Sequence, residues 1–264
     1  MADLAPHVIA LLVLAALAAG FIDSIAGGGG LIAVPALLAA GINPVAALAT
    51  NKVQGSFGTA SATYTYWRAG LIDFRKLKAP LIASLVGAGI GAWLLTLVDS
   101  HWLMVLLPFL LVAIAVYFLL APPMGEIDSH ARMTPMAFSV VAFGLGAYDG
   151  FFGPGVGSFL ALSLMSLMGM GLTKATGHAK ALNLMSNLVG LAVFSTGGHV
   201  LWGLGAAMAC GQFVGARLGS KAAMRFGARL IRPLLVALSL AMTLKLLADP
   251  ANPLRVAIAR WFGA

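Results

Sequence analysis

The chain has 264 residues, of which 61% are hydrophobic and 9% charged. A soluble domain carries about a quarter charged residues, so this composition excludes a fold that covers itself with a polar surface. The net charge of +8 is not a nucleic-acid signal, because the bases sit mainly in two short loops. A lone Cys210 excludes an internal disulfide or a thiolate cluster and reads as a small packing residue.

Long apolar runs recur along the whole length, which predicts an all-α membrane protein, since lipid requires backbone polar groups to be satisfied within each segment. No polar stretch is long enough for a soluble domain, so residues 1–264 are expected to form a single membrane domain. Ten segments are predicted: about 7–22, 24–40, 46–66, 79–97 and 102–121, then about 134–148, 151–168, 174–196, 199–217 and 231–248. Residues 8–20 resemble a leader, but the preceding stretch holds Asp3 and no Lys or Arg, so a basic n-region is missing and 8–22 is expected to be mature structure. The tail 253–264, with Arg255, Arg260 and Trp261, suits a short amphipathic interfacial helix.

One glycine-centred cassette occurs twice, as Phe21-Ile-Asp-Ser-Ile-Ala-Gly-Gly-Gly-Gly30 and as Ala147-Tyr-Asp-Gly-Phe-Phe-Gly-Pro-Gly-Val-Gly157. A shift of 126 lays Asp23 on Asp149, Gly27 on Gly153, Gly29 on Gly155 and Thr50 on Thr176. Past a two-residue insertion, a shift of 128 lays Lys52 on Lys180, Tyr66 on Phe194 and Gly70 on Gly198. Gly87-x-x-x-Gly91 corresponds to Gly211-x-x-x-Gly215. Repeat one covers about 7–121 and repeat two about 134–248. A duplicated bundle with matched helix breaks is the sequence signature of a secondary transporter.

The bases predict opposite orientations for the repeats. Arg68, Arg75, Lys76 and Lys78 follow the third segment of repeat one, whereas the equivalent loop of repeat two, around 197–200, has only His199. In repeat two the bases come one segment later, at Arg217, Lys221, Arg225, Arg229 and Arg232. Basic loops stay in the cytoplasm, so the same loop faces opposite sides in the two halves. Two inverted-topology repeats are expected, with loops 68–78 and 217–232 cytoplasmic and both termini outside. The first two segments of each repeat are short for a span of about 20 residues and flank a glycine tip. Re-entrant half-helices are the expected geometry, and two short full spans are the alternative.

The tips carry candidate chemistry. Gly27, Gly28, Gly29 and Gly30 lack Cβ, so the backbone there can take unusual φ/ψ values and admit a ligand to the main chain. An apolar helix follows, whose N–H groups and positive dipole end favour an anion. Gly153, Gly155 and Gly157 do the same in repeat two. Glycines serving only close helix packing is the bland alternative, and it is the preferred reading for Gly87, Gly91, Gly211, Gly215 and Gly219.

The third segments add Thr50, Asn51, Lys52, Gln54 and Ser56 in one repeat, and Thr176, His178, Lys180, Asn183, Ser186 and Asn187 in the other. A Lys inside an apolar bundle costs at least about 2.5 kcal/mol and usually faces a cavity or partner. Lys52 and Lys180 could neutralise a dianion, or lie shallow and snorkel. Lys180, Asn183 and Asn187 share one helix face. Asp23 and Asp149 suit proton carriage, capping of the following half-helix, or a structural pair with Lys52 or Lys180. No HExxH motif, Cys/His cluster or nucleotide loop occurs, so no enzyme activity, metal or cofactor is expected.

At these residues the sequence resembles the sulfite exporter TauE/SafE family. The resemblance rests on Phe21 to Pro35, Gly41-Ile-Asn-Pro44 and Ala49-Thr-Asn-Lys52, then Gly153 to Gly157, Ala175 to Lys180, Asn183 to Asn187 and Gly211 to Gly219. It covers nearly the whole chain. Pro154 and Val156 depart from it, standing where a fuller glycine run would be expected. The resemblance implies a multi-pass permease of the cell (inner) membrane, exporting sulfite or a small organosulfonate such as sulfoacetate, linked to the proton gradient. A passive anion channel is the alternative. The implied partners are a small anion and the lipid bilayer, with no nucleic acid; a homo-oligomer is compatible.

Overall fold

The computed structural model describes residues 4–98, 128 and 130–227. Segments 102–121 and 231–248, the tail 253–264, and Arg229 and Arg232 lie outside the described residues. Those described form eight α-helices and no strand. In chain order they are α1 (Pro6–Ala26), α2 (Gly30–Ala39), α3 (Pro44–Arg68), α4 (Phe74–Thr96), α5 (Pro135–Phe151), α6 (Val156–Met168), α7 (Leu172–Thr196) and α8 (Trp202–Phe226). Several starts are written locally. Pro6, Pro44 and Pro135 stand in the first turn, where a missing N–H costs nothing. Asn43, Asp73 and Thr134 cap α3, α4 and α5 by accepting the N–H groups of Val45, Arg75 and Ala137.

The first segment of each repeat is longer than its hydropathy predicts. α1 has 21 residues and continues through Asp23 and Ser24 to Ala26. It stops at Gly27, whose φ of 84° turns the chain and whose N–H bonds back to the Asp23 carbonyl. α5 likewise runs through Asp149 to Phe151, with Gly153 at φ 91° just beyond. A polar residue interrupts the hydropathy pattern without ending the helix; a backbone reversal ends it. The short elements are therefore α2, with 10 residues, and α6, with 13.

Both pairs are helical hairpins in which the short helix folds back along the long one. Leu37 of α2 and Ile42 beyond it pack with Leu12 and Ala16 of α1. At the other hairpin the N–H groups of Arg132 and Met133, just before α5, donate to the Leu167 carbonyl near the end of α6, both at 2.9 Å.

Helix directions follow from residue contacts. Gly211 and Gly215 of α8 lie on Val13 and Leu17 of α1, and Gly219 on Phe21, so α1 and α8 run parallel. Gly146 and Gly150 of α5 lie on Ser84 and Ala88 of α4, so these two also run parallel. Thr50, Gly58 and Ser61 of α3 meet Leu201, Gln212 and Phe213, parallel to α8. Lys52, Gly55 and Tyr66 of α3 meet Gly190, Asn187 and Gly177 of α7, antiparallel. Thus α1, α3 and α8 point one way, and α4, α5 and α7 the other. The α1–α8 contact is matched by α5–α4, and α3–α8 by α7–α4, so the packing pattern is preserved when the two halves are exchanged. Arg68, Arg75, Lys76 and Lys78 consequently share one end of the bundle with Arg217, Lys221 and Arg225, all exposed.

The exterior is apolar: Leu11 is 62% exposed, Ile82 65% and Val140 75%. α1 and α4 are long and apolar enough to cross a membrane. Glycine stripes let the long pairs approach closely. A Cβ on Gly91 would overlap the Ala147 carbonyl, and one on Gly215 the Leu17 carbonyl. Gly91→Ala and Gly215→Ala should therefore each destabilise the protein by about 1–3 kcal/mol, as overpacking does. Gly144→Ala should not, since nothing lies within 4 Å of its Cβ position. Thermal unfolding in detergent of the three variants checks this; equal melting would remove the close-contact role.

Candidate functional site

The last turns of α1 and α5 carry the two aspartates, and the facing helices α7 and α3 carry the two lysines. Each lysine reaches the aspartate of the other half. Lys180 Nζ donates to Asp23 Oδ2 at 2.8 Å. Lys52 Nζ donates to Asp149 Oδ1 at 2.6 Å and to the Asp149 carbonyl oxygen at 2.5 Å. The lysine side chains are 0% and 3% exposed respectively. Neither charge snorkels: each is neutralised where it is buried. Of the roles open to Asp23 and Asp149, pairing with a lysine is realised in the structure for both.

Further donors complete the pairs. Asp23 Oδ1 accepts the N–H of Gly29, the residue that caps α2, at 3.1 Å. Asp23 thus steadies the start of the half-helix from within the preceding helix. Asp149 Oδ2 accepts from Asn183 Nδ2 at 2.7 Å and from the Ser186 hydroxyl.

The glycine tips exist partly to make room for these charges. A Cβ on Gly157 would sit 3.1 Å from Lys180 Nζ, and one on Gly153 would sit 3.1 Å from Asp149 Oδ1 and 3.3 Å from Lys52 Nζ. Gly190 on α7 accommodates the Lys52 stem, with Cε 3.2 Å from its Cβ position. The tips also touch each other. Gly27 lies against Gly157 and Ser158, the Ser158 N–H donates to the Gly27 carbonyl at 3.3 Å, and the Ser158 hydroxyl donates to the Ala26 carbonyl. Gly30 abuts Pro154, so Pro154 packs between the tips where the second glycine run is interrupted. The left-handed backbone falls at Gly27, Gly153 and Gly155. Gly28 and Gly29 have no positive φ. Gly29 is helical at φ −56°, and its missing Cβ makes room for Asp23, whose own Cβ would lie 2.7 Å away.

A small cavity of about 30 Å³ opens beside the tips. Of the residues singled out in the sequence, Asp23, Gly27, Gly30, Asn51, Asp149, Gly153, Gly155, Gly157, Asn183 and Asn187 line it. Lys52 and Lys180 stand behind their aspartates. The other polar candidates are engaged elsewhere. Thr50 Oγ1 accepts the Leu201 N–H at the start of α8, Thr176 donates to the Leu172 carbonyl, and Gln54 donates to Asn51. The ring of His178 faces the α3–α4 loop: Nε2 accepts the Asp73 N–H at 3.1 Å, and Nδ1 lies 2.8 Å from the Lys174 carbonyl.

Sequence reasoning missed Gly55, Thr59 and Gln212, which also line the cavity. Gln212 is 3% exposed and its Oε1 has no partner among the described residues. Its signal was available: a lone amide within the glycine stripe from Gly211 to Gly219. The N–H groups of Gly30 and Gly157, in the first turns of α2 and α6, likewise meet no acceptor among the described residues. The cavity thus offers amide groups and helix-start N–H donors, backed by two closed ion pairs.

Removing one member of a buried pair leaves an uncompensated charge and costs about 3–5 kcal/mol. Lys52→Met should destabilise the protein by that order, and Lys52→Met with Asp149→Asn should restore much of it. Melting temperatures of both in detergent decide; equal losses would mean that the two groups are not coupled.

A family model described as sulfite exporter TauE/SafE matches residues 12–246. Among known proteins, "Probable membrane transporter protein ORF9" of Sinorhizobium sp is 50% identical over 264 residues, covering 100% of both chains. "Probable membrane transporter protein YfcA" of Escherichia coli K12 is 47% identical, over 92% of this chain and 91% of that one. A "Probable membrane transporter protein" of Haemophilus influenzae is 42% identical, over 94% and 97%. No solved structure matches the chain. The extent of these matches, on a chain carrying both glycine cassettes, places it in the sulfite exporter TauE/SafE family.

Proposed function

We propose that this chain is a secondary transporter that exports a small anion, sulfite or an organosulfonate such as sulfoacetate, across the cell membrane with coupling to the proton gradient. The observation that carries the reading is the cavity where the starts of α2 and α6 meet inside a bundle with an apolar exterior. Helix N-termini favour anions through unsatisfied N–H groups and the dipole. Half-length helices whose starts converge are how transporters build anion sites deep in a bilayer. The family description and the relatives' names support a sulfur oxyanion as cargo and a membrane as the setting.

The equivalent helices α1 and α5, α3 and α7, and α4 and α8 run in opposite directions, which supports inverted-topology repeats. The returning α1–α2 and α5–α6 hairpins support re-entrant elements that enter from opposite faces. The shared basic end is cytoplasmic in this reading, and the termini lie on the other side.

Flux into proteoliposomes tests the function, using sulfite, sulfoacetate, thiosulfate and taurine with and without a pH gradient. Accumulation of at least one of these anions against its own gradient, driven by the pH difference, is expected. Flux that only dissipates a gradient and ignores pH would make the protein a channel. For topology, Cys210 is first removed as Cys210→Ala, because it is exposed. On that background Lys76→Cys and Arg225→Cys should resist an impermeant thiol reagent applied outside intact cells, while Ala5→Cys should react. Ready external labelling at position 76 would contradict the proposed orientation.

A further inference from the structure

The two ion pairs are related by the repeat, yet they are not equivalent. Asp149 is saturated: Lys52 holds one carboxylate oxygen, while Asn183 and Ser186 hold the other. Asn183 and Ser186 lie three and six residues beyond Lys180 on α7. Three and six residues beyond Lys52 on α3 stand Gly55 and Gly58, which have no side-chain donor. Among the described residues, Asp23 therefore has only the Lys180 ammonium and the Gly29 N–H. Both aspartates line the cavity, but the Asp23 side chain is 11% exposed against 2% for Asp149.

Those two donors are the kind a small oxyanion would use: a buried ammonium and the N–H that caps a half-helix. Next to them are the N–H groups of Gly30 and Gly157, which meet no acceptor among the described residues, and the buried Gln212 side chain, which lines the same cavity and whose Oε1 has no partner among the described residues and could accept from a protonated Asp23. A carboxylate and an oxyanion cannot both occupy one ammonium at full charge without repulsion.

We propose that the Asp23 carboxylate is a built-in occupant of the anion site, and that the transported anion replaces it when Asp23 takes up a proton. This inference rests on the transport reading above and adds the residue and the sense of coupling. In the step, a proton from water forms an O–H bond on Asp23, Lys180 keeps its charge, and the anion takes over Lys180 and the tip N–H groups. When the anion leaves, Asp23 loses the proton to water and closes on Lys180 again. One proton therefore crosses with each anion, in the same direction, so export runs on the anion's own outward gradient and carries its proton out against the inward proton gradient. The Lys52–Asp149 pair stays closed and holds the tips in place.

Among the described residues, the surroundings of Asp23 contain no competing titratable group. α2 and α6 have none. On α3, Lys52 is committed to Asp149, the Tyr66 phenol donates to the Ser24 carbonyl, and Tyr64 and Arg68 are exposed. On α7, His178 faces Asp73 and Lys174 is bound to Asp128. Cys210, Arg217, Lys221 and Arg225 on α8 are exposed. Asp149, across the cavity, keeps its own partners.

The test uses thiosulfate and sulfoacetate, which do not titrate near neutral pH, on the purified full chain. Wild-type affinity should strengthen by about tenfold for each unit fall in pH, as linkage to one proton requires. Asp23→Asn, which keeps the shape and removes the charge, should bind with little pH dependence and lose pH-driven accumulation. If that variant does not fold, wild-type protein in weakly buffered detergent still decides: a pH dye should report about one proton taken up per anion bound. A wild-type pH slope in Asp23→Asn, no proton uptake on binding, or accumulation driven by a proton gradient in the opposite sense would each overturn the proposal while leaving anion transport standing. Failure of wild type to bind or transport any of the anions would remove the transport reading, and this inference with it.

Discussion

Two ammonium groups held inside an apolar bundle are the constraint on which the rest of the structure depends. A buried cation must be neutralised or it will not stay buried. Here the neutralising carboxylate of each lysine belongs to the opposite half of the chain. Neither half can close its own charge, so neither is a complete unit. α3 and α7 carry the lysines and run side by side through the centre, which is why both combine a buried polar face with a length of 25 residues.

The glycines divide into two groups under that constraint. One group forms the stripes between α1 and α8 and between α4 and α5, where backbone must meet backbone. Small residues serve such contacts in helical membrane proteins generally. The other group sits at the tips, where the missing Cβ atoms leave space for Lys180 Nζ, for the Lys52–Asp149 pair and for the opposite tip. The same spaces expose the starts of α2 and α6 to the cavity. Charge pairing, tip contact and a cavity lined by both tips are thus three consequences of one local arrangement.

Much of this was legible in the sequence, and what was not has physical reasons. Composition and apolar runs gave the helical class and all eight described helices. The duplicated cassette gave Asp23, Asp149, Lys52 and Lys180 as matched positions. It could not choose between pairing and ligand binding, because repeat symmetry equates Lys52 with Lys180 and is silent on the crossing to Asp149, 97 residues away. Helix ends were misjudged at Asp23 and Asp149 because hydropathy changes there before the backbone does. Thr50, Thr176 and His178 look like a polar lining in sequence. They satisfy backbone groups instead, a common fate of short polar side chains in helices. Gln212 was hidden by its neighbours, since the glycine stripe around it reads as packing.

The shared site depends on the two tips meeting, and a cross-link measures that directly. The Cβ position of Gly30 lies 3.4 Å from the Cβ of Pro154, close to the separation of about 3.5–4.5 Å that a disulfide spans. Gly30→Cys with Pro154→Cys, on the Cys210→Ala background, should form an intramolecular disulfide under mild oxidation in native membranes. A protease cut engineered between the halves would leave the fragments joined until reduction. Two fragments that separate without reductant, from protein shown to be folded, would contradict a site built from both tips.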